Sequence, residues 1–132
     1  MDNNSKLIYE DLTYQVNGIL FEAHNELGQF ANEKQYADFI ENKLKNSNLD
    51  FEREKILPPS FKGETKGRHR VDFLVKNKLL LELKTKHFLD KNDYYQTQRY
   101  LKALNLKLGI LVNFRQKRLI PKRIINSSAK EI

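Results

Sequence analysis

The stretch RHRVDFLVKNKLLLELKT, residues 68–85, decides how this chain is read. It is rich in Val, Leu and Phe and is broken at Lys76-Asn77-Lys78, the pattern of two β-strands joined by a short turn. Side chains alternate faces along a strand. Val71, Phe73 and Val75 therefore share one face of the first strand, and Arg70, Asp72 and Leu74 the other. In the second strand Leu79, Leu81 and Leu83 oppose Leu80, Glu82 and Lys84. Each strand has one fully apolar face and one mixed face. Pairing through the short turn puts Asp72 and the Glu82–Lys84 pair on the same side of the sheet. Two carboxylates so close repel unless a proton or a cation intervenes. Mg²⁺ or Mn²⁺ suits such oxygen ligands and retains several waters. A neighbouring lysine can polarise a water or offset charge developing on phosphate. The bland alternative stands beside this one. E-x-K is also what a solvated sheet face produces, and Asp72 can pair with Arg70 or Lys84 as a surface ion pair of little energetic weight.

Outward from this hairpin, the N-terminal side is helical. Leu12, Val16, Ile19, Ala23 and Leu27 form an apolar stripe over residues 6–27, and Gly28 is a natural stop. A second helix is expected from Asn32 to Lys45, with Asn32 as its cap and Tyr36, Ala37, Ile40 and Leu44 as its buried face. Glu33 heads that face and can point across the sheet. The segment FEREKILP alternates poorly but reads as an edge strand ended by Pro58-Pro59. After the hairpin, a helix over about 92–104 has Asp90 or Asn92 as its cap. It carries Gln96 and Tyr100 four apart, on one face. LKLGILVNF is a buried strand, and RLIPKRII a short one whose Pro121 assigns it to an edge or bulge. The expected order is α-α-β-β-β-α-β-β, an α/β fold with a mixed central β-sheet flanked by helices. A single domain over 1–132 is expected, with loose ends at about 1–5 and 126–132.

Composition narrows the class. The chain has 132 residues, 39% of them apolar, and no cysteine, which removes disulfides and thiolate metal sites. The start, MDNNSKLIYEDL, lacks the basic and apolar regions of a signal peptide. No apolar run approaches the roughly 20 residues that span a bilayer. A cytoplasmic protein without a membrane partner is the expectation. The net charge of +7 is unevenly spread. Residues 1–50 hold 4 Lys/Arg against 9 Asp/Glu, and residues 51–132 hold 20 against 8. Such a basic region suits a polyanion such as DNA or RNA, although an acidic protein or an anionic lipid surface would also answer to it. The basic candidates are Lys62, Lys66, Arg68 and Arg70 before the acidic strand, and Arg115, Lys117, Arg118, Lys122 and Arg123 near the end. His24 reads as a hydrogen-bonded structural histidine before a part of the site or substrate path. His69 and His87 are poor partners for a hard oxygen site. Tyr94-Tyr95 can stack a base.

Taken together, these motifs resemble the PD-(D/E)XK nuclease superfamily, of restriction-endonuclease-like fold, and within it the GxxExxY proteins. VDFLV followed by LELK resembles the superfamily's central signature. The resemblance makes Asp72 the metal-binding aspartate, Glu82 the second acidic position and Lys84 the catalytic lysine. LGQFANEKQY matches the stretch that names the smaller group, with Glu33 and Tyr36 on its glutamate and tyrosine. Gln96 and Tyr100 fall on a recurrent Q-x-x-x-Y, and His24 on a usual histidine. The likeness runs from about Leu7 to Ile125. Two departures stand out: the first glycine of GxxExxY is Phe30 here, which removes backbone freedom at that point, and the superfamily's "PD" is Val71-Asp72.

The resemblance implies Mg²⁺-dependent hydrolysis of nucleic-acid phosphodiester bonds, with Mn²⁺ as a substitute and DNA expected before RNA. Asp72, Glu82 and the Leu83 carbonyl would hold the metal. Glu33 would join through water or at a second metal position. Lys84 would orient the attacking water, and Gln96 would hold substrate or the lysine. Tyr100 is grouped with the basic residues at the nucleic-acid surface, packing beneath the site. The alternatives are a non-cleaving nucleic-acid-binding module, a partner-dependent subunit, a protein-interaction module, and a hydrolase of small phosphorylated substrates. A homodimer or larger complex would allow both strands of a duplex to be cut.

Overall fold

The computed structural model describes residues 8–130. Its elements follow the expected order: α1 (Glu10–Leu27), α2 (Glu33–Asn46), β1 (Phe51–Ile56), β2 (Arg70–Val75), β3 (Leu79–Lys84), α3 (Lys91–Leu104), β4 (Leu108–Asn113) and β5 (Lys122–Ile125). The sheet runs β1-β2-β3-β4-β5, with only β3 and β4 parallel. It is therefore a mixed sheet, with α3 as the crossover that parallel neighbours need. FEREKI and the Pro121-containing segment take the two edges.

Local chemistry explains the boundaries. Asn32 caps α2 through its side chain, which accepts from the Gln35 N–H, while Gln35 reaches back to the Asn32 N–H. Asp90 and Asp93 form the same reciprocal box at the start of α3. The hairpin turns at Lys76 and Asn77, both left-handed at φ 54° and 55°, the signature of a type I′ turn matched to strand twist. Gly109 in β4 lets α3 approach closely. A Cβ there would lie 3.3 Å from Thr97 Cγ2 and 3.4 Å from Leu101 Cδ2.

Two apolar layers sandwich the sheet. The larger joins α1 and α2 to Phe73, Val75, Leu79, Leu81, Leu83, Ile110 and Val112. The smaller joins α3, through Tyr100 and Leu101, to Leu57, Val71, Leu80, Leu111 and Ile124. Val71 departs from the expected alternation, since it packs on the α3 side while Phe73 and Val75 face α1 and α2. The physical reason lies in the neighbouring strands. The β2–β3 ladder stops at Phe73↔Leu81. Opposite Asp72, β1 passes through Glu54 at φ 55°, and neither side of the pairing engages Glu54 with Asp72. The same kink explains why FEREKI alternates poorly in sequence.

The segment after β5 differs from the loose end expected from residue 126. The buried Asn126 donates through its N–H to the Lys107 carbonyl at 2.8 Å and through Nδ2 to the Leu106 carbonyl at 3.0 Å. Asn105 bonds Lys130 in both directions. The expected loose start at 1–5, and residues 131–132, lie outside the described residues. Among the described residues no helix is long and apolar enough to cross a membrane.

Leu81 is fully buried at the centre of the sheet, whereas Ile56 is half exposed on the β1 edge. Leu81→Ala is expected to cost about 2–5 kcal/mol in urea unfolding, and Ile56→Ala about 0.5 kcal/mol or less. Equal costs would contradict this assignment of core and edge.

Candidate active site

The site forms where β2 and β3 part. The Asp72 backbone N–H donates to Glu82 Oε2 at 2.7 Å, and the Leu83 N–H donates to Asp72 Oδ2 at 2.7 Å. Two side-chain carboxylates thus take the place of the next ladder bonds. Glu82 is only 3% exposed. Burial, then the charge of Asp72, pushes its carboxyl up to about 8. Burial also raises Asp72, against the Leu83 hydrogen bond and the charge of Lys84. Asp72 lines a cavity of about 470 Å³ with Glu33, Lys34 and Ala37 of α2 and Arg53 and Glu54 of β1. Burial and the charge of Asp72 raise Glu33 as well. Three carboxylates therefore share one field.

Lys84 completes the constellation. Its Nζ donates to Gln96 Oε1 at 2.9 Å and lies 3.9 Å from Asp93 Oδ1. Asp93 is 6% exposed and mainly serves Lys86, whose Nζ approaches its two oxygens at 3.1 and 2.8 Å. Burial works against the Asp93 anion, but hydrogen bonds from Lys86 and the Asp90 N–H, with both lysine charges, hold its carboxyl below the ordinary value. Asn113 braces the strand ends: its side chain accepts from the Lys86 N–H at 3.0 Å and donates to the Lys86 carbonyl at 2.7 Å. Sequence reasoning missed Asp93, Lys86, Asn113 and Glu54. The D-x-x-D box signals Asp93, and the two-residue step from Lys84 signals Lys86. Nothing local signals Asn113, because its role depends on the Lys84↔Asn113 register of the parallel pair.

Tyr36 is fully buried and stacks on Phe114, with ring centroids 4.1 Å apart. Its hydroxyl donates to the Gly28 carbonyl and accepts from the Ala31 N–H. It thereby ties the α1–α2 corner, just before Glu33, to the chain directly after β4. The left-handed residue of that corner is Gly28, at φ 75°, while Phe30 has no positive φ, so a glycine is not required at position 30. His24 is a structural brace, its Nε2–H donating to the Gln116 carbonyl at 2.8 Å.

The remaining expected site residues scatter. Tyr100 is 6% exposed and packs in the α3-side core, so it supports the floor near Glu82 and offers no nucleic-acid surface. The apolar environment of α3 decides this. Arg70 pairs with Glu54 at 3.5 Å and not with Asp72. It lines a separate cavity with Lys66. Lys62, Arg68, Lys117, Arg118 and Lys122 are exposed, and Arg115 and Arg123 half-buried. Arg115 stands over the Phe30 ring.

The donor set fits a hard divalent cation: the buried Glu82 and the half-buried Asp72 bring two carboxyl groups together beside the Leu83 backbone. Among the described residues, however, no three His, Cys, Asp or Glu side chains gather as a metal cluster. Glu33 acts on Glu82 through its charge.

The profile of the PD-(D/E)XK nuclease superfamily matches residues 10–124, and the chain belongs to that superfamily. A solved structure titled "Crystal structure of SSO0001" is similar at 23% identity and a TM-score of 0.49, over 67% of this chain and 47% of that one. The chain thus matches less than half of that protein's length. A search of curated proteins finds no match.

The raised Glu82 carboxyl has a thermodynamic consequence. The folded, metal-free protein holds a proton that the unfolded chain releases, between the ordinary value of 4.5 and about 8. Its stability contribution is therefore greatest on the acid side of that window and falls as pH rises through it. Urea midpoints in EDTA across this window should fall more steeply for wild type than for Glu82→Gln. Parallel slopes would contradict the protonated state of Glu82.

Proposed function

We propose that this chain hydrolyses phosphodiester bonds of nucleic acid, DNA before RNA, with Mg²⁺ or Mn²⁺. The observation that carries the reading is the Asp72–Glu82 pair, with Glu82 buried, next to a lysine held by Gln96, in a member of a nuclease superfamily. Asp72, Glu82 and the Leu83 carbonyl would hold the cation, with Glu33 acting through water. When bound, the cation would lower the pKa of a coordinated water and offset charge on phosphate. Lys84 would orient that water and stabilise the charge gathered in the transition state. Gln96 positions the ammonium, and Asp93 supplies a nearby anion. The exposed Lys62, Lys66, Arg68, Lys117, Arg118 and Lys122 would meet phosphates without reading sequence. The likeness to GxxExxY proteins, through Glu33 and Tyr36, belongs to this reading, as do a single cytoplasmic domain and a homodimer able to cut both strands.

One observation favours a second reading. Glu33 does not close a three-acid cluster with Asp72 and Glu82, which suits a subunit that binds nucleic acid and cleaves only with a partner.

The test joins calorimetry to cleavage. Mg²⁺ or Mn²⁺ should bind wild type and fail to bind Asp72→Asn/Glu82→Gln. Lys84→Ala should keep metal binding and the fold while losing cleavage of duplex or single-stranded DNA by about a hundred-fold or more. Metal binding without cleavage by wild type would favour the partner-dependent subunit. Undiminished cleavage by Lys84→Ala would remove the role given to that lysine.

A further inference from the structure

The α1–α2 corner carries a feature that the acid–lysine chemistry does not use. Phe30 is 77% exposed, so its ring contributes little to the core. Yet the ring is presented by a fastened corner. Gln29 Nε2 donates to the Arg115 carbonyl at 2.9 Å, and the Ala31 N–H donates to the Tyr36 hydroxyl at 3.3 Å. The Arg115 guanidinium stands over the ring, 5.8 Å from its centroid. Among the described residues, Phe30 is the exposed large apolar side chain that has a cation over its ring.

We propose that Phe30 and Arg115 form a stacking platform for an unpaired nucleobase of the strand that the Asp72–Glu82 site would take as substrate. The inference rests on the nucleic-acid reading above. A cation over one face of a ring is a favourable arrangement that holds the ring in place, and it leaves the other face for a second planar group. Bases stack on such faces whatever their identity. An ordered platform loses less freedom on binding than a mobile one. Position supports a nucleic-acid strand as the occupant. Phe30 is three residues before Glu33, so their Cα atoms are at most about 11 Å apart, and bases in a stacked strand repeat every ~3.4 Å. A base on Phe30 therefore lies within a few nucleotides of Glu33, which lines the same cavity as Asp72. Arg115, followed by Lys117 and Arg118, supplies positive charge for the backbone of that strand. An acidic protein would answer to the charge but would leave the flat face unused.

The experiment uses the full chain in EDTA, where cleavage is off, and single-stranded DNA with 2-aminopurine walked through each position. Binding is read by anisotropy and stacking by quenching of the analogue. Phe30→Ala should weaken binding by about ten-fold and abolish quenching at one position, whereas Phe30→Trp should retain both. An abasic residue at that position should weaken wild type about as much and Phe30→Ala no further. This DNA-side change keeps the test valid even if Phe30→Ala folds poorly. Binding and quenching by Phe30→Ala equal to wild type would overturn the platform alone. Failure of wild type to bind any oligonucleotide, with metal or without, would overturn the nucleic-acid reading itself.

Discussion

The two bonds by which the Glu82 carboxylate accepts from the Asp72 N–H and the Asp72 carboxylate from the Leu83 N–H are the constraint on which the rest of this end of the molecule depends. Where β2 leaves β3, the N–H groups of Asp72 and Leu83 lose their strand partners. Buried amides must be satisfied, and here two carboxylates accept them. The solution satisfies the backbone and creates an electrostatic problem, because two acids are drawn together away from water. A proton on Glu82 relieves it in the metal-free protein, and a cation would relieve it better. The backbone split and the chemistry of the site are thus one feature.

Positive charge is supplied from the other side of the split. Lys84 leaves the end of β3 and meets Gln96 on α3, while Lys86, two residues on, saturates Asp93. One buried aspartate therefore caps the helix, holds one lysine and lies near another. Asn113 fastens the chain at Lys86 to β4 by side-chain bonds that extend the parallel ladder past its end. Glu33 arrives from the opposite layer on a helix whose start is tied down by Tyr36 and Phe114. Each chemical group is held by an element that also builds the core, so the site inherits the rigidity of the sheet.

Much of this was legible in the residues. The helical stripe from Leu12 to Leu27, the Asn32 and Asp90 caps, the Lys76-Asn77 turn and the edge position of the Pro121 segment all rest on local rules of periodicity, capping and backbone freedom. The candidate residues Asp72, Glu82 and Lys84 were visible as charges inside otherwise apolar strands. The departures share a different cause. Val71 lies on the face opposite to Phe73 and Val75: the alternation rule assumes an unbroken ladder, and Glu54 kinks the neighbouring strand at that point. Tyr100 is buried, which its helix position alone does not show, because α3 is set deeply against Gly109.

By itself, then, the amino-acid order determined the kinds of elements, their sequence along the chain and the identity of the charged residues inside the strands. These depend on interactions among residues a few positions apart. Only the tertiary structure decided that Glu82 bonds the Asp72 backbone and Asp72 the Leu83 backbone, that Lys84 meets Gln96 and lies beside Asp93, that Asn113 braces Lys86, and that Arg115 backs Phe30 across 85 positions of chain. Those pairings depend on strand register and on the packing of layers, which are set by the burial of the whole apolar surface at once.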